Sequence, residues 1–204
     1  MPANLFAGFV VFALVTLFTP GPNNIMLMTS GLNYGLRRAL PHLFGVAIGF
    51  GAMVLGVGIG LGAVFETYPA LYPVIKYVGV AYLLYLAWVI ATASPHDDQA
   101  GVVTEGRPIS FLQAAAFQWV NPKAWVMAVG AVATYAAIAR FPFNMAIIAG
   151  VFASFGIVSS WTWIMFGSVL RRFLRTARAV RLFNIAMGVL LVVSILPVLV
   201  EDWL

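Results

Sequence analysis

The stretch Phe18-Thr-Pro-Gly-Pro-Asn-Asn-Ile-Met-Leu-Met-Thr-Ser-Gly31 places two prolines, a glycine and two asparagines late in a long apolar run. Proline lacks an N–H and its ring clashes with the carbonyl four residues earlier, so Pro20 and Pro22 interrupt any helix that contains them. In lipid, irregular backbone persists only where it is buried in protein or lines a water-filled cavity. The stretch therefore predicts a broken helix that faces one of these two environments.

The composition is that of an integral membrane protein. Of the 204 residues, 63% are hydrophobic and only 8% are charged, and the mean hydropathy is +1.00. A soluble domain carries about 25% charged and about 45–50% apolar residues. Because the bilayer requires every backbone polar group to be paired internally, the apolar runs predict an all-α protein. The sequence contains no cysteine, which excludes disulfides and thiolate metal sites.

Six segments are long and apolar enough to cross a hydrocarbon core of about 30 Å, which takes about 20 residues. In chain order they are Asn4–Ser30, Pro41–Phe65, Tyr72–Ala93, Ile109–Ala139, Phe143–Val169 and Leu182–Val200. A polar stretch between the third and fourth divides the chain into near-equal halves. We therefore expect one membrane domain, with a first three-helix repeat at 1–94, a cytoplasmic linker at 95–108 and a second three-helix repeat at 109–204.

The distribution of basic residues predicts the orientation. No Lys or Arg precedes Arg37, so the N-terminal run is expected to be a membrane helix rather than a signal peptide. Loops one, three and five would carry eight arginines, against Lys76 and Arg140 near the opposite loops. These arginines are Arg37, Arg38, Arg107, Arg171, Arg172, Arg175, Arg178 and Arg181. By the positive-inside rule both termini are expected to be periplasmic. We favour this topogenic role over binding of nucleic acid or anionic lipid.

The second predicted span is rich in glycines that are four residues apart. The pairs are Gly45/Gly49, Gly56/Gly60 and Gly58/Gly62. Such spacing allows a neighbouring helix to approach closely. We interpret it as packing within the bundle, while a dimer contact or a smooth surface for substrate is the alternative.

A second break lies in the fourth predicted span. Gly21-Pro22-Asn23 and Asn121-Pro122-Lys123 share one pattern of helix cap, proline and polar residue. A single break is explained well enough by a packed proline kink. Two breaks, one in each half, are typical of inverted-repeat transporters, whose binding site lies near the bilayer midplane between interrupted helices.

Lys123 indicates what such a site would bind. It lies 13 residues after Ser110 and 17 before Arg140, roughly 20 and 25 Å along a helix. A charge at this depth costs about 2.5–3.5 kcal/mol on insertion scales. No acidic residue lies deep in any predicted span, so an anionic group of the substrate is the expected partner. The N-termini of two half-helices would add a positive potential that also favours a carboxylate.

These considerations predict a substrate site with no catalytic residues, metal or cofactor. Its expected residues are Pro20, Gly21, Pro22, Asn23, Asn24, Gln118, Asn121, Pro122 and Lys123. The three prolines are expected to free the carbonyls of Thr16, Phe18 and Gln118. These carbonyls and the amides of Asn23, Asn24 and Gln118 would accept from an α-amino group. Since no acidic group is present to pair with a basic side chain, a small neutral amino acid is the expected substrate.

The motifs Thr19-Pro-Gly-Pro-Asn-Asn24 and Asn121-Pro-Lys123 resemble those of the lysine exporter and threonine efflux family (LysE/RhtB type) of amino-acid exporters. The segments 81–88 and 117–123 are similar to the branch that exports cysteine and O-acetylserine. The resemblance implies two inverted three-helix repeats, often dimeric, in the bacterial inner membrane. It also implies export of amino acids or their derivatives by proton antiport.

Other functions remain as alternatives. A passive facilitator or channel would share the composition, and so would a divalent-cation exporter, although hard cations need clustered oxygen ligands that the spans lack. For coupling to protons the titratable groups are Lys123 and His42, the latter expected at an interface. An enzyme is not expected, because His42 and His96 lie in different segments and no His-Glu-x-x-His motif occurs. Ser159 and Ser160 are interpreted as packing hydroxyls.

Overall fold

The structure is a computed structural model that describes residues 3–61, 67–68, 70–93, 107–174 and 176–194. Within these ranges the regular elements are all helical, which confirms the predicted all-α class. The helices are α1 Ala3–Phe18, α2 Pro22–Gly56, α3 Leu71–Ala91, α4 Phe111–Gln118, α5 Pro122–Tyr135, α6 Phe143–Leu170 and α7 Ala177–Val193. A π-helical turn, Val57–Leu61, follows α2, and a 3₁₀ turn, Ala136–Ile138, follows α5.

Several predicted features lie outside the described residues. They are nearly all of the predicted linker, the ends of the second and sixth predicted spans, and the C-terminus. Residues 107–110 are described and lead into α4, which begins with a capping box. Ser110 Oγ accepts from the N–H of Gln113, and Gln113 Oε1 accepts from the N–H of Ser110.

Both helix breaks lie where the prolines predict them. α1 ends at Phe18 and α2 begins at Pro22, after Gly21 in an extended conformation with φ −173°. α4 ends at Gln118 and α5 begins at Pro122. At 1.5 Å per residue α4 is about 12 Å long and α5 about 21 Å, so neither crosses a hydrocarbon core alone.

α2 is not one straight helix, because the chain reverses at Gly35. This glycine has φ 73° and ψ 170°, which breaks the helix and which a side chain would disfavour. Ser30 Oγ and His42 Nδ1 are hydrogen-bonded at 2.9 Å. Twelve residues of continuous helix would place them about 18 Å apart. α2 therefore consists of a first segment, 22–34, folded back on a second segment, 36–56.

The reversal buries a residue that the sequence placed at an interface. His42 has no exposed surface, and its Nε2 makes no hydrogen bond. The sequence did not predict this burial, and the location of His42 at a membrane interface stays a prediction. Pro41 is incorporated within the second segment of α2, and this allows His42 to turn inward against Ser30.

α6 packs against both segments of α2 through glycines. A Cβ atom on Gly167 would overlap the carbonyl oxygen of Met28, and one on Gly31 would overlap the carbonyl oxygen of Ile164. Further along α2, Gly45 and Gly49 lie against α4 in the same close manner. The interpretation of the Gly45/Gly49 pair as packing within the bundle is thus confirmed.

Three apolar clusters hold the helices together. The first joins α1, the second segment of α2, α5 and α6 around Phe152, whose ring centroid lies 5.1 Å from that of Phe50 and 5.4 Å from that of Phe9. A smaller one joins both segments of α2, α4 and α6 around Leu27, Leu43 and Ile164. A third cluster fixes α3 and α7 to the first segment of α2 and to α4.

The outer surface is apolar. Trp88 is 70% exposed, Leu112 75% and Val126 73%. Two stretches of the described chain, Pro22–Gly60 and Phe143–Leu170, are long and apolar enough to cross a membrane. An extensive exposed apolar surface marks a protein or membrane contact. These features fit a protein that resides in a bilayer.

The glycine contact between α2 and α6 yields a stability prediction. Gly167→Ala should lower the thermal stability of the detergent-solubilised protein, because its Cβ would overlap main-chain atoms that cannot move aside. Overpacking of this kind costs about 1–3 kcal/mol. The control is Gly150→Ala in the same helix, which has no atom within 4 Å of its Cβ position. Equal melting temperatures for the two variants would contradict the close contact.

Candidate functional site

The two helix breaks face each other. Asn23 Nδ2 donates to Gln118 Oε1 at 2.8 Å, and Gln118 Nε2 donates to Asn23 Oδ1 at 3.1 Å. Across the same junction Lys123 Nζ donates to the carbonyl of Thr19 at 2.5 Å. Asn23, which follows Pro22, and Lys123, which follows Pro122, thus each form a hydrogen bond to a residue of the other break.

Side chains satisfy the backbone that the first break leaves open. The carbonyl of Leu17 accepts from Asn24 Nδ2 at 3.1 Å and from Ser159 Oγ at 2.9 Å. The carbonyl of Thr19 accepts from Asn24 Nδ2 at 2.8 Å as well as from Lys123. Buried carbonyls that lose their helical donors need such partners.

These carbonyls are not the ones that counting back from the prolines predicted. Side chains bond the carbonyls of Leu17 and Thr19, which the sequence did not single out, while the freeing of the Thr16 and Phe18 carbonyls stays a prediction. The carbonyl of Gln118 accepts from the N–H of Asn121 at 3.3 Å, so it is not left free. The reason is that each break spans several residues, whereas the prediction considered only the missing N–H of the prolines.

A small cavity of about 40 Å³, partly open to the outside, lies at the junction of the breaks. It is large enough to hold water molecules, for which about 10–15 Å³ suffices. It is lined by residues of α1, both segments of α2, α5 and α6. They are Thr16, Leu17, Gly21, Asn23, Asn24, Val46, Ala47, Phe50, Asn121, Lys123, Ala124, Met127, Gly156, Ser159 and Ser160.

Lys123 is the cation of this cavity. Its side chain is partly buried, and the described ranges contain no Asp or Glu that could pair with it. The ammonium has three N–H donors, and the Thr19 carbonyl takes one of them. A positive charge with unused donors on a cavity wall is suited to bind an anionic group.

Gly21 makes room for the lysine side chain. Its φ of −173° is accessible to any residue, so the backbone conformation does not require glycine here. A Cβ atom on residue 21 would lie 2.9 Å from Cδ and 3.2 Å from Nζ of Lys123. The small residue before Pro22 is therefore explained by the space that Lys123 occupies.

The residues predicted for the site all lie at the junction, in two roles. Those that line the cavity are Gly21, Asn23, Asn24, Asn121 and Lys123. Pro20, Pro22 and Pro122 shape the breaks without lining the cavity. Gln118 is fully buried behind Asn23, and its amide is occupied by Asn23 and by the carbonyl of Ala114 at 2.8 Å.

The second segment of α2 and α6 contribute residues that sequence reasoning did not assign to the site. Val46, Ala47 and Phe50 supply an apolar wall, and Gly156, Ser159 and Ser160 supply a wall of small residues. Adjacent serines within a long apolar span were the available signal, but it was interpreted as packing. Thr16, Leu17, Ala124 and Met127 carry no distinguishing sequence signal.

The junction offers chemistry for binding rather than for metal ligation. In the part of the chain that the structure describes, no three His, Cys, Asp or Glu side chains cluster. The polar groups at the cavity are an ammonium, amides and hydroxyls, and the N-termini of α2 and α5 contribute positive ends of helix dipoles. Together they favour a small zwitterion or anion.

Comparison with known proteins agrees with this geometry. Residues 14–200 match the LysE type translocator family. The chain is 32% identical over 195 residues to the cysteine/O-acetylserine efflux protein of Escherichia coli O1:K1 / APEC, covering 94% of this chain and 96% of that protein. It is 31% identical, with the same coverage, to the protein of that name from Shigella sonnei (strain Ss046).

A third relative extends the match to another genus. The cysteine/O-acetylserine efflux protein of Klebsiella pneumoniae is 30% identical over 173 residues, covering 84% of this chain and 86% of that protein. No solved structure matches the chain significantly. The resemblance stated from the sequence motifs is confirmed, and the chain belongs to the LysE type translocator family, so that it is a membrane transporter and not an enzyme.

Proposed function

We propose that this transporter exports a small neutral amino acid or a close derivative, such as cysteine, O-acetylserine, serine or threonine, across the bacterial inner membrane. The observation that carries the proposal is the placement of Lys123 and the N-termini of α2 and α5 around one cavity. The described residues provide no carboxylate at this cavity. The relatives named as cysteine/O-acetylserine efflux proteins support the same substrate class.

In this proposal the α-carboxylate of the substrate binds Lys123 and the N–H groups of Asn23 and Asn24 at the N-terminus of α2, near the positive ends of both helix dipoles. The α-amino group donates to Asn24 Oδ1, because Asn24 lines the cavity and only its Nδ2 is engaged in hydrogen bonds within the protein. Gln118 acts through Asn23, since its amide is fully engaged. The neutral substrate side chain faces Val46, Ala47 and Phe50.

We further propose that the helices form two inverted three-helix repeats. Exchanging α1 with α4, the first segment of α2 with α5, and the second segment of α2 with α6 converts one apolar cluster into another. The cluster around Phe152 contains α1, the second segment of α2, α5 and α6. The cluster around Leu27 contains α4, α6, the first segment of α2 and its second segment. This correspondence supports a repeat of the kind that transporters use for alternating access.

Coupling to protons, periplasmic termini and a homodimer belong to the same proposal. Antiport of a proton requires a titratable group, and the basic candidates in the described spans are Lys123, which lines the cavity, and the buried His42. The exposed arginines Arg37, Arg38 and Arg107 support a cytoplasmic location for the first and third loops. The homodimer rests on the family resemblance and stays a prediction, as does the absence of a nucleic-acid partner.

The role of Lys123 can be tested by substitution. Lys123→Ala should reduce amino-acid transport by purified protein in liposomes at least tenfold, since a charge-assisted contact to the carboxylate contributes about 1.5–3 kcal/mol. Gly21→Ala should cause a smaller loss, because its Cβ would displace the lysine side chain.

Gly130→Ala is the matched control, because it lies on the same helix as Lys123 and its Cβ would meet only Phe12 at 3.9 Å. Membrane insertion of all three variants is checked by the amount recovered in the membrane fraction. Wild-type transport by Lys123→Ala would show that the carboxylate binds elsewhere.

The substrate class and its coupling can be measured with the same liposomes. We expect transport of cysteine, O-acetylserine, serine or threonine, and little transport of lysine or arginine, whose basic side chains would meet no acidic group. An imposed pH gradient should change the rate if a proton is exchanged. Preference for lysine or arginine would contradict the neutral substrate, and equal rates with and without the gradient would identify a passive facilitator.

The amide pair between the breaks yields a separate stability prediction. Asn23→Ala and Gln118→Ala should each destabilise the protein by about 1–3 kcal/mol, because each leaves a partly or fully buried amide without its partner. The double variant should lose less than the sum, with a coupling of at least 0.5 kcal/mol. Strict additivity in thermal unfolding would show that the two amides do not depend on one another.

A further inference from the structure

Two adjacent serines of α6 reach the cavity and differ in what they bind. Ser159 Oγ donates to the carbonyl of Leu17 at 2.9 Å, so its hydroxyl serves the first helix break. Ser160 also lines the cavity and is only 3% exposed. Its hydroxyl makes no hydrogen bond to any residue that the structure describes.

Ser160 is an exception within the described ranges. Every other buried polar side chain there makes at least one hydrogen bond; these are Asn24, Thr29, Ser30, Asn33, His42, Gln118, Asn121, Asn144, Ser159 and Asn184. Hydroxyls within helices commonly bond to the carbonyl four residues earlier, as Thr162 does to Val158 at 2.8 Å. The fully buried polar atoms without a partner in the described ranges, His42 Nε2 and Trp163 Nε1, belong to residues that do not line the cavity, whereas Ser160 does. A hydroxyl that lines a cavity and has no partner in the protein is available to a ligand.

The surroundings of Ser160 are small and apolar. Gly156, one turn earlier on α6, lines the same cavity, and a Cβ atom there would lie 3.4 Å from Cβ of Ala47. Val46 and Phe50 complete the neighbouring wall. On the side formed by α6 and the second segment of α2, Ser160 is thus the polar group that remains available among the lining residues, since Ser159 is already bonded.

We propose that Ser160 is the specificity-determining residue that binds the side chain of the transported amino acid. This inference rests on the proposed function, in which the α-carboxylate binds Lys123 and the α-amino group binds acceptors at the breaks. The substrate side chain then contacts the remaining cavity wall, which is formed by the second segment of α2 and by α6. A serine hydroxyl both donates and accepts, so it suits a hydroxyl, a thiol or an ester carbonyl. The substrate class is therefore small amino acids with one neutral polar group on the side chain.

The test compares L-serine with L-alanine, which differ by one hydroxyl. Initial rates per substrate concentration are measured for both with purified protein in liposomes. Ser160→Ala should lower the value for serine about 3- to 10-fold and leave that for alanine unchanged, because one hydrogen bond of about 0.5–1.5 kcal/mol is lost. Ser160→Thr, which keeps a hydroxyl, should retain the preference for serine. The ratio does not depend on how much protein folds.

Ser159→Ala is the matched control. It leaves the Leu17 carbonyl with Asn24 as its partner, so it should lower the rates for serine and alanine together. If Ser160→Ala lowers the rates for serine and alanine equally, or changes neither rate, Ser160 does not bind the substrate side chain and the inference is overturned. If the wild-type protein transports neither amino acid nor cysteine, the proposed function itself fails.

Discussion

The rest of the structure depends on the hydrogen bond from Lys123 Nζ to the carbonyl of Thr19, because this bond pairs an unsatisfied carbonyl with a charge that lacks a counterion. A helix broken inside a bilayer leaves carbonyls without donors, and a lysine at the same depth is a charge without a counterion. Each break supplies what the other lacks, because the carbonyl at the first accepts from the cation at the second. The amide pair between Asn23 and Gln118 repeats this exchange between neutral groups.

Such mutual satisfaction explains why the breaks have to meet. Either one alone would have to be paired by its own neighbours, as in an ordinary proline kink. Together they line a cavity at which Lys123 and the N-terminus of α2 have more donors than the protein uses. In the proposed function a carboxylate binds these unused donors while the Thr19 carbonyl keeps one N–H of the ammonium. The substrate would then bridge the two breaks, since Lys123 belongs to one and the N-terminus of α2 to the other.

Sequence reasoning predicted the two breaks, the presence of Lys123 beside one of them and the helical class of the described elements. These features follow from effects that are local in the sequence, namely the missing N–H of proline and the cost of a charge within a long apolar segment. Sequence reasoning did not predict which carbonyls would be bonded, since this depends on side chains that lie far away in the sequence, such as Ser159. The burial of His42 was missed for a related reason, because it follows from the reversal at Gly35. Ser159 and Ser160 look alike in the sequence, and only their neighbours in space distinguish them.

In the two proposed repeats, equivalent positions carry different side chains, so the two sides of the site differ in charge. The shared pattern aligns Asn23 with Lys123, so one break carries a neutral amide and the other a cation. A symmetric pair of cations would bind a dianion, and a symmetric pair of amides would hold a carboxylate weakly. One of each allows a zwitterion to bind in a single orientation, with its carboxylate at α5. The side chain is then directed away from the charge, toward the small residues of α6 and the apolar wall of α2. Discrimination among neutral amino acids can therefore evolve on α6 without disturbing the contacts that close the broken backbone.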